Sequence, residues 1–206
     1  MSQIALPLDW PAGETQQDFI VGDSNAAAVR HLDHWGAWPV MATILTGPRK
    51  SGRSLLGRLF ARKSGGRLID EADRRDEEEL FHAWNAAQEQ RLPLLMIADQ
   101  PPPAWRVRLP DLRSRLGATP VVALGDPDDQ LVGALVEKLL IQRNLMPPPD
   151  LIPWLVPRVE RSHVGLIRVV DALDQAALSR RTRLSLKLAR ATLAELRLID
   201  GQEDSA

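Results

Sequence analysis

One segment decides the fold: Gly47-Pro48-Arg49-Lys50-Ser51-Gly52-Arg53-Ser54. It follows a short apolar run, Met41 to Leu45, whose length and glycine ending predict a buried strand, and it leads into an expected helix from about Arg53 to Arg62. A glycine-rich loop between a strand and a helix is the setting of a phosphate-binding P-loop, in which backbone N–H groups at the helix N-terminus hold phosphate oxygens. The segment therefore predicts a nucleotide site.

Four residues of this loop are candidate nucleotide-binding residues: Gly47, Gly52, Arg53 and Ser54. The Ser54 hydroxyl would also reach Mg²⁺. Arg53 stands where a P-loop lysine is expected, and arginine keeps the positive charge of lysine without its compact geometry. The loop therefore favours nucleotide binding over fast hydrolysis. The alternative interpretation is a glycine-rich turn that holds no ligand.

A second motif is Leu68-Ile69-Asp70-Glu71-Ala72-Asp73, an apolar strand that ends in acidic residues and resembles a Walker B segment. In that role Asp70 would hold Mg²⁺ and Glu71 would orient the attacking water. A strand ending in acids is often only a solvated turn. With a P-loop on the neighbouring strand, however, the pair of motifs predicts ADP or ATP and Mg²⁺ as ligands.

The rest of the chain is predicted to alternate strands and helices first and to be helical afterwards. Strands are expected at residues 67–69, 94–98 and 120–124, the last two buried. A capping box of Asp76 and Glu79 predicts a helix through Gln90. After Asp126, an expected N-cap, helices are predicted at about 127–143, 150–158, 163–178 and 182–197. Such alternation indicates a doubly wound parallel sheet followed by a helical subdomain.

Composition excludes several classes of function. The 26 basic and 27 acidic residues nearly cancel, so no global positive field draws the chain to nucleic acid, and we expect no direct sequence-specific DNA binding. Cysteine is absent, which excludes disulfides and cysteine-ligated zinc. His31 and His34 have a metal-like spacing without a third ligand, so surface histidines are the better interpretation. With neither a signal peptide nor a long apolar run, we expect a cytoplasmic protein without a membrane partner.

Several segments, in order, resemble the Hda branch of the DnaA-related AAA+ proteins. They are a clamp-binding hexapeptide at residues 3–8 with Gln3, Leu6, Pro7 and Leu8; a segment lining the nucleotide site at residues 19–25 with Asn25; the Gly-Arg-Ser ending of the loop; a sensor 1 strand at residues 94–103 with Asp99; and an arginine-finger segment at residues 111–116 with Arg115. Arg168 lies near the place of a sensor 2 arginine, and its alternative is an exposed helix arginine.

This resemblance implies an α/β fold of the P-loop AAA+ type, a three-layer sandwich with a parallel sheet followed by a small α-helical lid. We expect a flexible tail at residues 1–18, the nucleotide-binding domain at 19–125 and the lid at 126–200. Asp70 lies sixteen positions after Ser54, too few for the extra strand and helix usual in the family. That strand lies at the sheet edge in the AAA+ order, so the core would survive its loss.

The resemblance also implies a function. The protein would be a negative regulator of replication initiation that binds the replication sliding clamp, the β subunit of DNA polymerase III, and stimulates ATP hydrolysis by DnaA through Arg115. It would be an activator in trans with weak or no ATPase activity of its own, and a homo-oligomer is possible. Two alternatives stay open: a stand-alone P-loop ATPase or kinase that uses Asp70 and Glu71, and a clamp adaptor that uses no nucleotide.

The clamp motif also has a physical rationale of its own. Leu6 and Leu8 would enter an apolar pocket, the Gln3 amide would make oriented hydrogen bonds, and Pro7 would limit the entropy lost on docking. The alternative is a tail whose leucines fold back on the body of the protein.

Overall fold

A computed structural model describes residues 19–199 of the chain. Its centre is a parallel sheet of four strands in the order β2-β3-β1-β4: β1 Ala42–Thr46, β2 Arg67–Ile69, β3 Leu94–Ile97 and β4 Val121–Ala123. β1 and β3 are buried along their whole length, as their apolar sequences predict for strands covered on both faces. The two shorter strands form the edges.

Within residues 19–199, eight α-helices surround and extend this sheet. Their bounds are α1 Asp23–Asp33, α2 Arg53–Ser64, α3 Glu77–Gln90, α4 Pro110–Ala118, α5 Asp129–Gln142, α6 Leu151–Leu155, α7 His163–Arg180 and α8 Leu186–Glu195. Short 3-10 turns follow α1 at Trp35–Ala37 and follow β2 at Ala72–Arg74. None of the helices in the described part of the chain is long and apolar enough to cross a membrane.

The sheet lies between two apolar layers because neighbouring residues of a strand point to opposite faces. On one face Ile44 and Met96 pack against α3 and α4 through side chains such as Leu80 and Leu112. On the other face Leu45, Leu95 and Ile97 pack against α1 and α2 through Ala28, Leu32, Leu56 and Phe60. The structure therefore confirms the predicted three-layer α/β sandwich with a parallel sheet.

Helices α5 to α8 form a separate apolar core. It contains Val132, Val136, Leu140, Leu151, Leu155, Leu166, Val170, Leu173 and Leu193, all buried. One link to the sheet layers is Asp128, whose Oδ1 accepts from Leu131 N (2.8 Å) at the start of α5 and whose Oδ2 accepts from Ser24 N (3.2 Å) in α1. The predicted helical lid is therefore present, joined at its first helix to the first helix of the α/β layer.

The structure corrects five local predictions. The α5 N-cap is Asp128, not Asp126, because the helix starts two residues later than expected. Glu79 pairs with Arg67 (3.1 Å) instead of closing a capping box, although Asp76 does cap α3. β4 is an edge strand with Val121 43% exposed, so it is not buried as predicted.

The fourth correction concerns the neighbour of the P-loop strand. The acidic residues Asp70 and Glu71 follow β2, and they were expected on the strand next to β1, the strand that leads into the P-loop. Instead β3 lies between β1 and β2. Finally, His31 is not a surface histidine: its Nε2 lies 2.9 Å from Thr43 Oγ1, it stacks on Trp38, and burial lowers its pKa. No group of three or more histidine, cysteine or acidic side chains is poised to hold a metal among residues 19–199.

Candidate nucleotide-binding site

The loop from Gly47 to Ser54 joins the carboxyl end of β1 to the start of α2, as predicted. Both glycines of this loop are required by its backbone geometry. Gly47 has φ +147°, and a Cβ there would lie 2.8 Å from the Leu124 carbonyl oxygen. Gly52 has φ +89° and accepts the first hydrogen bond of α2, from Leu56 N (2.8 Å). This backbone path starts the helix at Arg53 and leaves the first N–H groups of α2 without intrahelical partners.

A cavity of about 370 Å³ lies beside the loop, and three separate segments line it. The loop and α2 supply Arg49, Lys50, Arg53 and Ser54; the end of β2 supplies Asp70, Glu71, Arg74 and Arg75; and the end of β3 supplies Asp99. Five of these side chains are basic and three are acidic. We call this space the phosphate cavity because its net positive charge suits a polyphosphate.

Arg53 makes two contacts at the end of β3. Its Nη1 donates to the Ala98 carbonyl oxygen (2.6 Å) and its Nη2 to Asp99 Oδ1 (2.8 Å), and the side chain is only 13% exposed. Asp99 Oδ2 accepts a third bond, from Arg74 Nη2 (3.0 Å). The hydrogen bond from Arg53 is the main reason that the pKa of Asp99 lies below its usual value. Asp99 therefore neutralises part of the cationic charge that a phosphate would use.

The acidic end of β2 contributes Asp70 and Glu71. Asp70 Oδ1 accepts from Glu71 N (2.9 Å), and Glu71 has φ +53° and pairs with Arg74 Nη1 (3.2 Å). Ser54 and Asp70 line the same cavity, and their hydroxyl and carboxylate oxygens are the hard donors that Mg²⁺ takes together with water and phosphate oxygens. These two residues therefore fit a nucleotide-bound Mg²⁺, with the phosphates completing its ligands.

A second cavity, of about 480 Å³, lies between the loop and the lid helices. Its walls are mostly apolar and include Phe19, Ile20, Leu131, Leu135 and Leu139, and Lys50 lines both cavities. We call it the lid cavity. An apolar space of this volume with a few polar groups is usual for a small-molecule site.

Asn25 lines the lid cavity and is nearly buried, with 6% of the residue exposed. Its Nδ2 donates to the Ile20 carbonyl oxygen (2.9 Å), and its Oδ1 accepts from Gly22 N (3.0 Å). Both ends of the amide are therefore engaged with the segment before α1. Asn25 thus shapes the wall of the cavity through the backbone at residues 20–22.

Arg115 lies on α4, apart from both cavities. Its guanidinium group lies 4.4 Å from the centre of the Phe81 ring and 5.4 Å from that of Trp84, and its Nε donates to Asn85 Oδ1 (2.9 Å). Arg113, two residues earlier on the same helix, is held by the backbone: its Nε and Nη2 both donate to the Val107 carbonyl oxygen. An arginine that acts on the nucleotide of another protein has no need to approach its own site.

Arg168 is not brought to the loop. It is exposed on α7 and lines a separate depression with Arg158, Glu160 and Arg197. His163, the first residue of α7, is the side chain of that helix that lines the lid cavity. Five residues correspond to about 140° around a helix, so the two side chains leave α7 on different faces. The candidate clamp-binding residues Gln3, Leu6, Pro7 and Leu8 lie outside the described residues.

Sequence reasoning did not single out several residues that line these cavities, among them Arg74, Ser51 and His163. Arg74 follows the acidic strand end closely, and Ser51 belongs to the loop motif itself, so their positions carried a usable signal. The sequence position of His163 gave no such signal, because its place in the cavity wall depends on how α7 packs beside the loop.

Comparisons with known proteins identify the fold. The crystal structure of domain III of the replication initiation protein DnaA from Thermotoga maritima superposes with a TM-score of 0.68 at 17% identity, over 87% of this chain and 95% of that one. RuvB, a Holliday junction branch migration motor from the same organism, gives 0.63 at 14% identity, over 89% and 72%. AMPPCP-bound DnaA from Aquifex aeolicus gives 0.59 at 18% identity, over 82% and 67%. The chain thus has the AAA+ P-loop fold.

Sequence comparisons are less informative. No model of a known protein family matches the chain. A curated protein of Haemophilus influenzae, described as uncharacterized, is 31% identical over 114 residues, which are 54% of this chain and 49% of that protein. The chain therefore spans about half the length of the curated relative that it matches.

Proposed function

We propose that the protein binds an adenine nucleotide, ADP or ATP, with its phosphates in the phosphate cavity and its base in the lid cavity. The observation that supports this most is the pairing of a cavity of net positive charge at a glycine-rich loop with an adjoining, mostly apolar cavity, both lined by Lys50. Backbone N–H groups at the start of α2 and the Arg53 guanidinium group would hold the phosphates. Ser54 and Asp70 would hold Mg²⁺, which offsets phosphate charge. AMPPCP binding by the Aquifex DnaA favours adenine.

Calorimetric titration of the full chain with ADP and with ATP, each with Mg²⁺, tests this proposal. We expect binding in the micromolar range and a loss of at least tenfold for Arg53→Ala, which removes a charged phosphate partner. Lys63→Ala is the matched control, because Lys63 lies on the same helix, is 58% exposed and pairs with Asp33 on the surface. If the wild-type protein binds neither nucleotide at millimolar concentration, the proposal is wrong, and the clamp adaptor that uses no nucleotide is the remaining interpretation.

The proposal extends to regulation of DNA replication initiation. In this role the tail binds the sliding clamp, the β subunit of DNA polymerase III, and the protein stimulates ATP hydrolysis by DnaA through Arg115. The hexapeptide at residues 3–8 supports the clamp contact, and the likeness in fold to DnaA domain III supports a DnaA partner. Arg115 lines neither cavity of its own chain, which is compatible with action on a partner's phosphates.

Clamp-dependent ATP hydrolysis by DnaA tests this role. Arg115→Ala should lower the stimulated rate by roughly 10³-fold or more, because a finger stabilises charge that develops in the transition state. Asn85→Ala is the control: it removes the partner of Arg115 Nε and keeps the guanidinium group, so stimulation should persist. Leu6→Ala with Leu8→Ala should abolish clamp binding and leave nucleotide binding intact. Full stimulation by Arg115→Ala would remove Arg115 from the mechanism.

A second candidate function is a stand-alone ATPase. Asp70 and Glu71 line the phosphate cavity, where they could serve hydrolysis in this chain. A turnover assay on the purified protein alone separates the two functions. Steady ATP hydrolysis that Glu71→Gln abolishes would favour the ATPase, whereas tight binding without turnover favours the regulator.

A further inference from the structure

Lys50 lies where the phosphate cavity and the lid cavity adjoin. Among the described residues it is the one that lines both cavities. It is exposed, and its side chain makes no hydrogen bond or ion pair with any residue in the range 19–199. The loop therefore carries a lysine ammonium group that no other group of this part of the chain neutralises, at the boundary between the two spaces.

Three arginines of the phosphate cavity are, in contrast, already bound to oxygen atoms of the protein itself. Arg53 and Arg74 both donate to the Asp99 carboxylate (2.8 and 3.0 Å). Arg75 Nε donates to a backbone carbonyl oxygen at the end of β2 (3.3 Å). A phosphate that pairs with any of these guanidinium groups has to share or displace an existing bond, whereas a phosphate that meets Lys50 displaces only water.

The backbone of Lys50 is a second, independent observation. Its φ is +65°, in the left-handed region that glycine adopts freely and that strains most other residues. The turn itself therefore does not need a side chain at this position. Residues held in such conformations concentrate at ligand-binding sites. The conformation thus points to a role for the lysine side chain and not for the backbone that carries it.

We propose that Lys50 binds the phosphate nearest the nucleoside, the α-phosphate of ADP or ATP. The inference rests on the proposed nucleotide site and adds a binding residue to it. With the base in the lid cavity and the outer phosphates beside Arg53, the ribose and the α-phosphate cross the boundary between the cavities, where Lys50 lies. A compact ammonium group on a flexible stem suits this contact, and it supplies the point charge that Arg53 does not provide.

The test measures the affinities of adenosine, AMP and ADP for the wild type and for Lys50→Asn by calorimetry. Asparagine tolerates the left-handed backbone and removes the charge. We expect AMP and ADP each to bind about tenfold more weakly to this variant, because a charge-assisted hydrogen bond is lost, and adenosine to bind as before. Lys50→Arg should restore most of the loss. Lys63→Asn is the control, since it makes the same charge change at a surface pair with Asp33. Arg53→Ala should weaken ADP more than AMP, because Arg53 lines the phosphate cavity alone.

Three results would overturn the inference. They are unchanged AMP and ADP affinities in Lys50→Asn, a loss for ADP without one for AMP, which would put the lysine on an outer phosphate, and wild-type binding of AMP no tighter than that of adenosine. Lys50→Gly is a second uncharged variant that fits the same backbone, so it replaces Lys50→Asn if the latter does not fold. Binding of neither ADP nor ATP by the wild type is a different failure, because it removes the proposed nucleotide site itself.

Discussion

At the scale of single residues, a carboxylate of the protein itself, that of Asp99, occupies the position in the phosphate cavity where arginine side chains converge. Asp99 accepts hydrogen bonds from Arg53 and Arg74, and together with Ala98 it holds Arg53 at the end of β3. The sequence supports Asp99 as a nucleotide-binding residue, but its ionised carboxylate also competes with a phosphate for the same guanidinium groups. A ligand must therefore displace or share these contacts.

This competition gives a prediction for Asp99→Asn. The amide keeps the size of the side chain and removes its charge, so phosphates should meet less competition and the affinity for ADP should rise by about threefold to tenfold. Calorimetry measures the change. Asp33→Asn is the control, since Asp33 is an exposed carboxylate paired with Lys63. Weaker ADP binding by Asp99→Asn would instead mean that the carboxylate itself assists the nucleotide.

At the scale of elements, the first helix of the lid depends on its N-cap. Asp128 Oδ1 accepts from Leu131 N, and this bond is the main reason that the pKa of Asp128 lies below its usual value. Its second oxygen accepts from Ser24 N, so the same carboxylate also fastens α5 to α1. Asp126 is exposed and caps no helix. The two acids, two residues apart, thus have different structural roles.

We expect Asp128→Ala to lower the free energy of unfolding by about 1 kcal/mol at pH 7, as loss of a helix cap usually does. Because folding lowers the pKa of Asp128, its contribution is present above the unfolded-state pKa of about 3.9 and is lost as the pH falls through the lower folded-state value. The difference between wild type and Asp128→Ala should therefore shrink below about pH 4. Urea unfolding at several pH values measures it.

Asp126→Ala is the matched control for this experiment. It removes the acid that the sequence predicts to be the cap, and it should change the free energy of unfolding by less than about 0.5 kcal/mol. Equal losses in the two variants would contradict the assignment of Asp128 as the cap.

At the scale of the whole molecule, the lid cavity lies between the α/β layers and the lid, which have separate apolar cores. A nucleotide bound there as proposed would contact both parts and would bind only the folded protein. Saturating ADP, at a hundred times its Kd, should therefore raise the free energy of unfolding by about 2.7 kcal/mol. Thermal unfolding with and without ADP checks this, and Arg53→Ala should show a smaller rise at the same ADP concentration. An unfolding midpoint that ADP leaves unchanged in the wild type would contradict nucleotide binding.

The sequence by itself determined what depends on near neighbours along the chain. The loop at residues 47–54, the buried strands β1 and β3 and the alternation of strands and helices are all local patterns, since glycine requirements, apolar runs and caps act within a few residues. These patterns were enough for the three-layer sandwich and for the glycine-rich loop between β1 and α2.

Only the tertiary structure decided how distant segments meet. It inserted β3 between the strands that carry the loop and the acidic end, and it joined Arg53 to Asp99, 46 positions apart. It turned His163, not Arg168, toward the lid cavity. The physical reason is that strand order and the buried face of a helix follow from the packing of whole elements, whose free energy is a sum over many distant contacts that no local pattern contains.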